Sequence, residues 1–166
     1  MKSLCFFFIF TATMTGVMAQ SNAEELKAVN HVINTWHEAA SVADFDAYFD
    51  KMTNDAVFIG TDPTENWSYH DFKTFSRPYF ERGKAWSFQA VDRNVFFDQN
   101  YTLAWFDELL DTRMQLCRGS GVLKKINGTW KIAHYVLSIT IPNENVDDVV
   151  ALKKVFDIRV KDSLRQ

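Results

Sequence analysis

Two adjacent acids, Asp107 and Glu108, stand in the run Thr102-Leu103-Ala104-Trp105-Phe106-Asp107-Glu108-Leu109-Leu110-Asp111-Thr112, which is otherwise rich in strand formers. A carboxylate inside a sheet is unfavourable unless something binds or pairs it, so this face either meets water or lines a pocket. Strand parity puts Trp105, Asp107, Leu109 and Asp111 on one face and Phe106, Glu108 and Leu110 on the other. On the next two strands Arg118, Ser120, Val122 and Lys124 share a face, as do Trp130, Ile132, His134, Val136 and Ser138. A one-residue bulge would swap these assignments, and parity alone does not say which face is inside.

The chemistry such a set offers is proton transfer. If Asp107 or Glu108 points into a cavity, Arg118 and His134 can reach it, with Trp67, Tyr79, Trp86 and Trp105 as apolar walls. A carboxylate desolvated among aromatics and near a histidine is the usual way to place a general base near neutral pH. It would suit proton abstraction next to a carbonyl, or addition and loss of water. The competing reading is structural: Arg118 pairs with an acid on the neighbouring strand and fixes register, and His134 is a hydrogen-bonded core residue. Cys117 reads as a small buried thiol. Asp62 and Glu65 lie in the turn-like Thr61-Asp62-Pro63-Thr64-Glu65-Asn66, where Asp62 before Pro63 is a plain turn residue. His31, His37 and His70 lie on or beside helices without ligand spacing, so no metal site is indicated, and no cofactor is implied.

The elements that would position these groups follow from periodicity. Leu26, Val29, Ile33, Trp36 and Ala40 are spaced by three and four, an amphipathic helix with Asn22 as its cap and Glu24 and Glu25 in its first turn. Asp44 caps a shorter helix through Phe45, Tyr48, Phe49 and Met52, and Ala56–Gly60 reads as a strand. Ser68-Tyr69-His70-Asp71 has capping-box form and opens a helix through Phe80 that Gly83 stops and Pro78 kinks or splits. Four strand-like segments follow at 85–97, 102–114, 117–126 and 129–141, with turns at Asp98-Gln99-Asn100, around Gln115 and at Asn127-Gly128. They predict an antiparallel meander, and Gly119 and Gly121 a bulge or sharp curvature in it. Beyond Pro142, Asn145 caps a last helix. Helices followed by one bent antiparallel sheet is an α+β layout in which helices cover a concave face.

Lys2 precedes an apolar run from Leu4 to Val17, and Val17-Met18-Ala19 offers a peptidase site before Gln20, so residues 1–19 are expected to be a signal peptide. The run, broken by Thr11, Thr13, Thr15 and Gly16, is shorter than the roughly 20 residues a membrane span needs. Residues 20–166 make one domain with enough chain to bury about two-thirds of its surface. The full chain carries 18 basic and 21 acidic residues; removal of Lys2 leaves a mature balance of −4. There is no basic cluster to track phosphates, which excludes nucleic acid as a partner. Cys117 is the one cysteine left after cleavage, so no internal disulfide can form.

The stretches Asp55–Trp67, Arg77–Trp86, Ala104–Leu123 and Gly128–Glu144 together resemble the SnoaL-like branch of the nuclear transport factor two-like superfamily, in particular a group of exported bacterial proteins. The resemblance spans about Glu24 to Asn145. It implies a cone-shaped α+β barrel, frequent homodimers and a pocket at the wide end for small apolar molecules. It implies no single chemistry, since relatives include isomerases, dehydratases, polyketide cyclases and non-enzymatic association domains. The expectation is an exported protein, periplasmic or secreted, free of the membrane after cleavage and homodimeric through an apolar outer sheet face and C-terminal helix. It binds a small apolar or aromatic molecule, either as a lyase or isomerase with Asp107 or Glu108 as base, or as a non-enzymatic binding or association module.

Overall fold

The computed structural model describes residues 7–165, with side chains from Asn22 onward. The start of the expected signal peptide, residues 1–6, lies outside the described residues. Four helices and six strands succeed one another: α1 (Phe7–Ser41), α2 (Phe45–Asp50), β1 (Met52–Ile59), β2 (Asn66–Ser68), α3 (Tyr69–Glu81), β3 (Phe88–Phe97), β4 (Leu103–Thr112), β5 (Gln115–Ile126), β6 (Thr129–Ile139) and α4 (Val146–Leu164). The strands form one sheet in the order β2-β1-β6-β5-β4-β3. The fold is α+β, with α1 to α3 covering the concave face of a curved sheet.

The apolar stripe read from α1 is what seats it. Val29, Ile33, Trp36 and Ala40 are fully buried against the sheet and α2. Trp36 stacks on Tyr48 at 4.9 Å and meets Tyr135 edge-on at 4.9 Å, geometries that add to the area aromatics bury. Asp44 caps α2 by accepting the Ala47 N–H (3.0 Å). Ser68 caps α3 by accepting the Asp71 N–H (3.2 Å), and Phe72 of that helix stacks on Phe58 of β1 at 3.9 Å. Each cap satisfies a backbone donor that the first turn leaves without a partner. The Asn127-Gly128 turn has both residues at positive φ, 50° and 81°, the conformation a two-residue hairpin requires.

Several elements depart from the pattern. The helix does not begin at Asn22: α1 runs back to Phe7, so Asn22 is interior and caps nothing. The sheet is mixed, because β1 runs parallel to β6, and the three-residue β2 pairs beside it where a loop was expected. Pro78 does not split α3, which continues to Glu81. Asn145 sits at the N-cap of α4 without a side-chain capping bond.

Within the meander the register shifts at Val91 on β3 and on β6 rather than at the glycines. Leu123 pairs with Ile132 and Val122 with His134, leaving Ala133 as the extra residue. Parity therefore flips within β6: Trp130 and Ile132 face inward, then Tyr135 and Leu137 do, and His134 and Val136 turn to the outer face. Gly119 and Gly121 serve side-chain space instead. A Cβ at Gly121 would meet the Phe106 ring at 2.7 Å and the His134 carbonyl at 2.6 Å, and one at Gly119 would strike Tyr135 and Glu108.

Removal of the central ring should leave a cavity that the surrounding aromatics cannot fill, so Trp36→Ala is expected to cost about 3–5 kcal/mol. Ser68→Ala, which removes a cap, is expected to cost about 1 kcal/mol. Urea unfolding followed by circular dichroism measures both.

Candidate functional site

On β4, Ala104, Phe106, Glu108 and Leu110 face the core and Trp105, Asp107 and Leu109 face out. Glu108 is 0% exposed, which demands partners, and it has them on three elements. His37 of α1 places Nε2 2.8 Å from Oε1. The Tyr135 hydroxyl of β6 donates to the same oxygen at 3.0 Å. Arg93 of β3, directly opposite in register, donates from Nε to Oε2 at 2.9 Å, with Nη2 2.7 Å from that oxygen. Arg93 Nη1 in turn donates to Asn34 (2.7 Å) and Asn30 (3.1 Å) on α1. Gly119 faces Glu108 across β4 and β5, and the absence of a side chain there lets the tyrosine hydroxyl through.

Burial alone would raise the Glu108 carboxyl, but the hydrogen bond and charge of His37 and the charge and hydrogen bond of Arg93 outweigh it and hold it below the usual carboxylate range. Tyr135 is pushed well above the ordinary phenol range, first by burial and then by the Glu108 charge it donates to. Glu108 is thus an ionised acceptor and Tyr135 a permanent donor. An ionised Glu108 accepts from the His37 proton on Nε2, and His37 Nδ1 is buried with no hydrogen-bond partner among the described protein groups. A carboxylate with both oxygens occupied and a depressed pKa is a poor general base near neutral pH.

Two cavities flank this cluster. A polar groove of about 390 Å³ lies beside α1, bounded by Asn34, His37, Glu38, Ser41, Arg93 and the start of β3. A larger pocket of about 530 Å³ opens at the mouth of the cone between β1, β2, α3 and the β4–β5 turn. Its walls are aromatic: Trp67 stacks on Phe75 at 4.9 Å, Phe75 lies 5.4 Å from Tyr79, and Trp86 meets Tyr48 and Phe80 edge-on at 5.5 and 5.4 Å. Phe88 borders both cavities and its ring packs edge-on to the His37 imidazole at 5.7 Å, so it partitions the charged cluster from the mouth.

Of the residues singled out from sequence, Trp67, Tyr79 and Trp86 converge on the mouth pocket, and Glu108 is the acid that turns inward. Trp105, Asp107, Arg118 and His134 do not join them. Trp105 is 48% exposed on the outer face, stacked on Phe96 at 6.0 Å. Asp107 and Arg118 form a cross-strand ion pair on that face, Oδ1 to Nη1 3.6 Å. The bulge at Ala133 carries His134 outward, opposite Val122 and Val57. The groups that do meet Glu108, His37, Arg93 and Tyr135, were missed. Their signal was present for His37: Asn30, Asn34 and His37 are spaced by four and three, a polar stripe running alongside the apolar one on α1. Among the described residues no group of three or more His, Cys, Asp or Glu side chains is arranged to hold a metal ion.

Because the folded carboxyl of Glu108 titrates below its unfolded value, it contributes stability above the ordinary carboxylate range and loses it as pH falls through the folded value. Glu108→Gln should cost about 3–5 kcal/mol at pH 7, where it leaves Arg93 buried without its counter-charge. The gap to the natural protein should narrow in urea titrations below pH 4.

No functionally curated protein matches the sequence. Solved structures match the fold at low identity. An NTF2-like protein of unknown function from Pseudomonas putida KT2440 is 16% identical over 75% of this chain and 92% of its own, TM-score 0.61. A candidate scytalone dehydratase from Novosphingobium aromaticivorans is 14% identical over 74% and 89%, TM-score 0.64. The association domain of C. elegans CaMKII is 19% identical over 72% and 98%, TM-score 0.58. Such identities establish the shared cone and leave chemistry open. The model of the SnoaL-like domain matches residues 29–142, from the buried stripe of α1 to the end of β6 and beyond; the chain belongs to the SnoaL-like family.

Proposed function

We propose that this protein is an exported, homodimeric binder of a small apolar or aromatic molecule, held in the mouth pocket of the cone. The observation that carries the reading is the pocket itself: a space of about 530 Å³ lined by Trp67, Phe75, Tyr79 and Trp86, of the size and apolar character small-molecule sites have. The lyase or isomerase version, with Asp107 or Glu108 as base oriented by Arg118 and His134, gains no support from this geometry. Asp107, Arg118 and His134 face away from both cavities, and Glu108 is sealed behind Phe88 with its oxygens occupied.

The dimer rests on a different observation. Phe96, Leu103, Trp105, Leu116 and Ile139 leave large apolar surfaces exposed on or around the outer sheet face, and Val150, Leu152, Val155 and Phe156 do so on α4. No residue of α4 is buried within the protomer. Apolar surface of this extent marks an interface. Export is supported by the Leu4–Val17 run and the Val17-Met18-Ala19 site; among the described residues no helix is long and apolar enough to cross a membrane.

Native mass spectrometry of residues 20–166 purified gently from a heterologous host should show added mass that leaves on denaturation, and Trp86→Ala should abolish it. An unliganded mass that is the same in both proteins would count against the binding reading. Light scattering should return the mass of two chains; a monomer would contradict the dimer. The exported form should begin at Gln20 by terminal sequencing.

A further inference from the structure

We infer that the ligand of the mouth pocket is an anion: a flat body of one or two rings carrying a carboxylate. The inference rests on the binding reading above and names the ligand's charge. Three cations, Arg82, Lys84 and Arg113, border a pocket whose largest lining groups are aromatic. Two separate elements deliver them. Gly83 ends α3 in the left-handed region at φ 68°, its N–H donating to the Phe80 carbonyl at 2.8 Å, and this cap sets Arg82 and Lys84 at the rim. Arg113 comes from the β4–β5 turn across the opening.

None of the three has an acidic partner among the described residues; the ion pairs present involve other cations. The Arg82 guanidinium instead lies over the Tyr79 ring at 4.7 Å, which orients its planar fork beside the aromatic wall. The single acid on the lining, Glu65, is folded back over Gly60 and accepts the Asp62 N–H at 3.3 Å within its own loop. The mouth is therefore locally positive on a chain of net charge −3. Phe58, Phe72, Trp86 and Leu137 supply the apolar floor. Buried rings below and unneutralised cations above match a molecule with an apolar body and an anionic head, which would be steered in by the field at the rim.

The test is isothermal titration of the mature chain at pH 7 and low salt with 2-naphthoate and, as an uncharged match, 2-naphthamide. Naphthoate should bind about tenfold tighter, the effect expected of three solvated cations each contributing a fraction of that factor. The preference should vanish in Arg82→Ala/Lys84→Ala/Arg113→Ala and shrink at high salt. Equal affinity for the two compounds, lost in Trp86→Ala, would overturn the inference and leave the binding reading standing. Binding of both that ignores Trp86→Ala, or no binding of either at millimolar concentration, would overturn the two together.

Discussion

A carboxylate with no contact with water governs this structure. The intrinsic cost of desolvating Glu108 is large, and the fold meets it by bringing a cation from β3, an imidazole from α1 and a phenol from β6 to its two oxygens. Arg93 then extends the network to Asn30 and Asn34, so the helix lies on the sheet in one rotational setting. Around this polar centre the packing is aromatic, with Trp36, Tyr48, Phe58, Phe72 and Tyr135 in mutual contact. A slip of β4 by one residue that brought Leu109 into the place of Glu108 would leave Arg93 and His37 unpaired inside. A buried charge whose net contribution to stability is small thus serves to specify register.

Much of the frame was legible in the sequence because it is local. The Asn127-Gly128 hairpin, the Ser68 and Asp44 caps and the α1 stripe each depend on neighbours within about one or two turns, and each appears where its residues call for it. What was not legible depends on long-range partners. The parallel pairing of β1 with β6 joins segments more than 70 residues apart, and no pattern in either encodes it. The bulge at Ala133 has no signal of its own, yet it decides that Tyr135 faces Glu108 and His134 does not. The acid pair illustrates the limit: alternation separates Asp107 from Glu108, but only the position of Arg93 and His37 identifies Glu108 as the inward one.

The two ends of the cone consequently differ in kind. Both oxygens of Glu108 are engaged, which suits a scaffold more than a reacting centre, although His37 Nδ1, Arg93 Nη2, Trp36 Nε1 and the Tyr48 hydroxyl are buried without a hydrogen-bond partner among the described protein groups. At the mouth, Trp67, Tyr79 and Trp86 line open space, and the rim cations have no carboxylate partner among the described residues. Phe88 separates the two regions. The outer face, carrying Trp105 and the Asp107–Arg118 pair, and the uncovered α4 hold the exposed apolar surface on which the proposed dimer rests.

The central claim, that small molecules enter at the mouth and the remaining aromatics are structural, is tested most directly through the five indole N–H groups. In a nitrogen-15-labelled sample of the mature protein titrated with 2-naphthoate, the Trp67 and Trp86 resonances should move, while those of Trp105 on the outer face and Trp130 at the far end of the cone stay in place. Movement of Trp105 with Trp67 and Trp86 unperturbed would contradict the account.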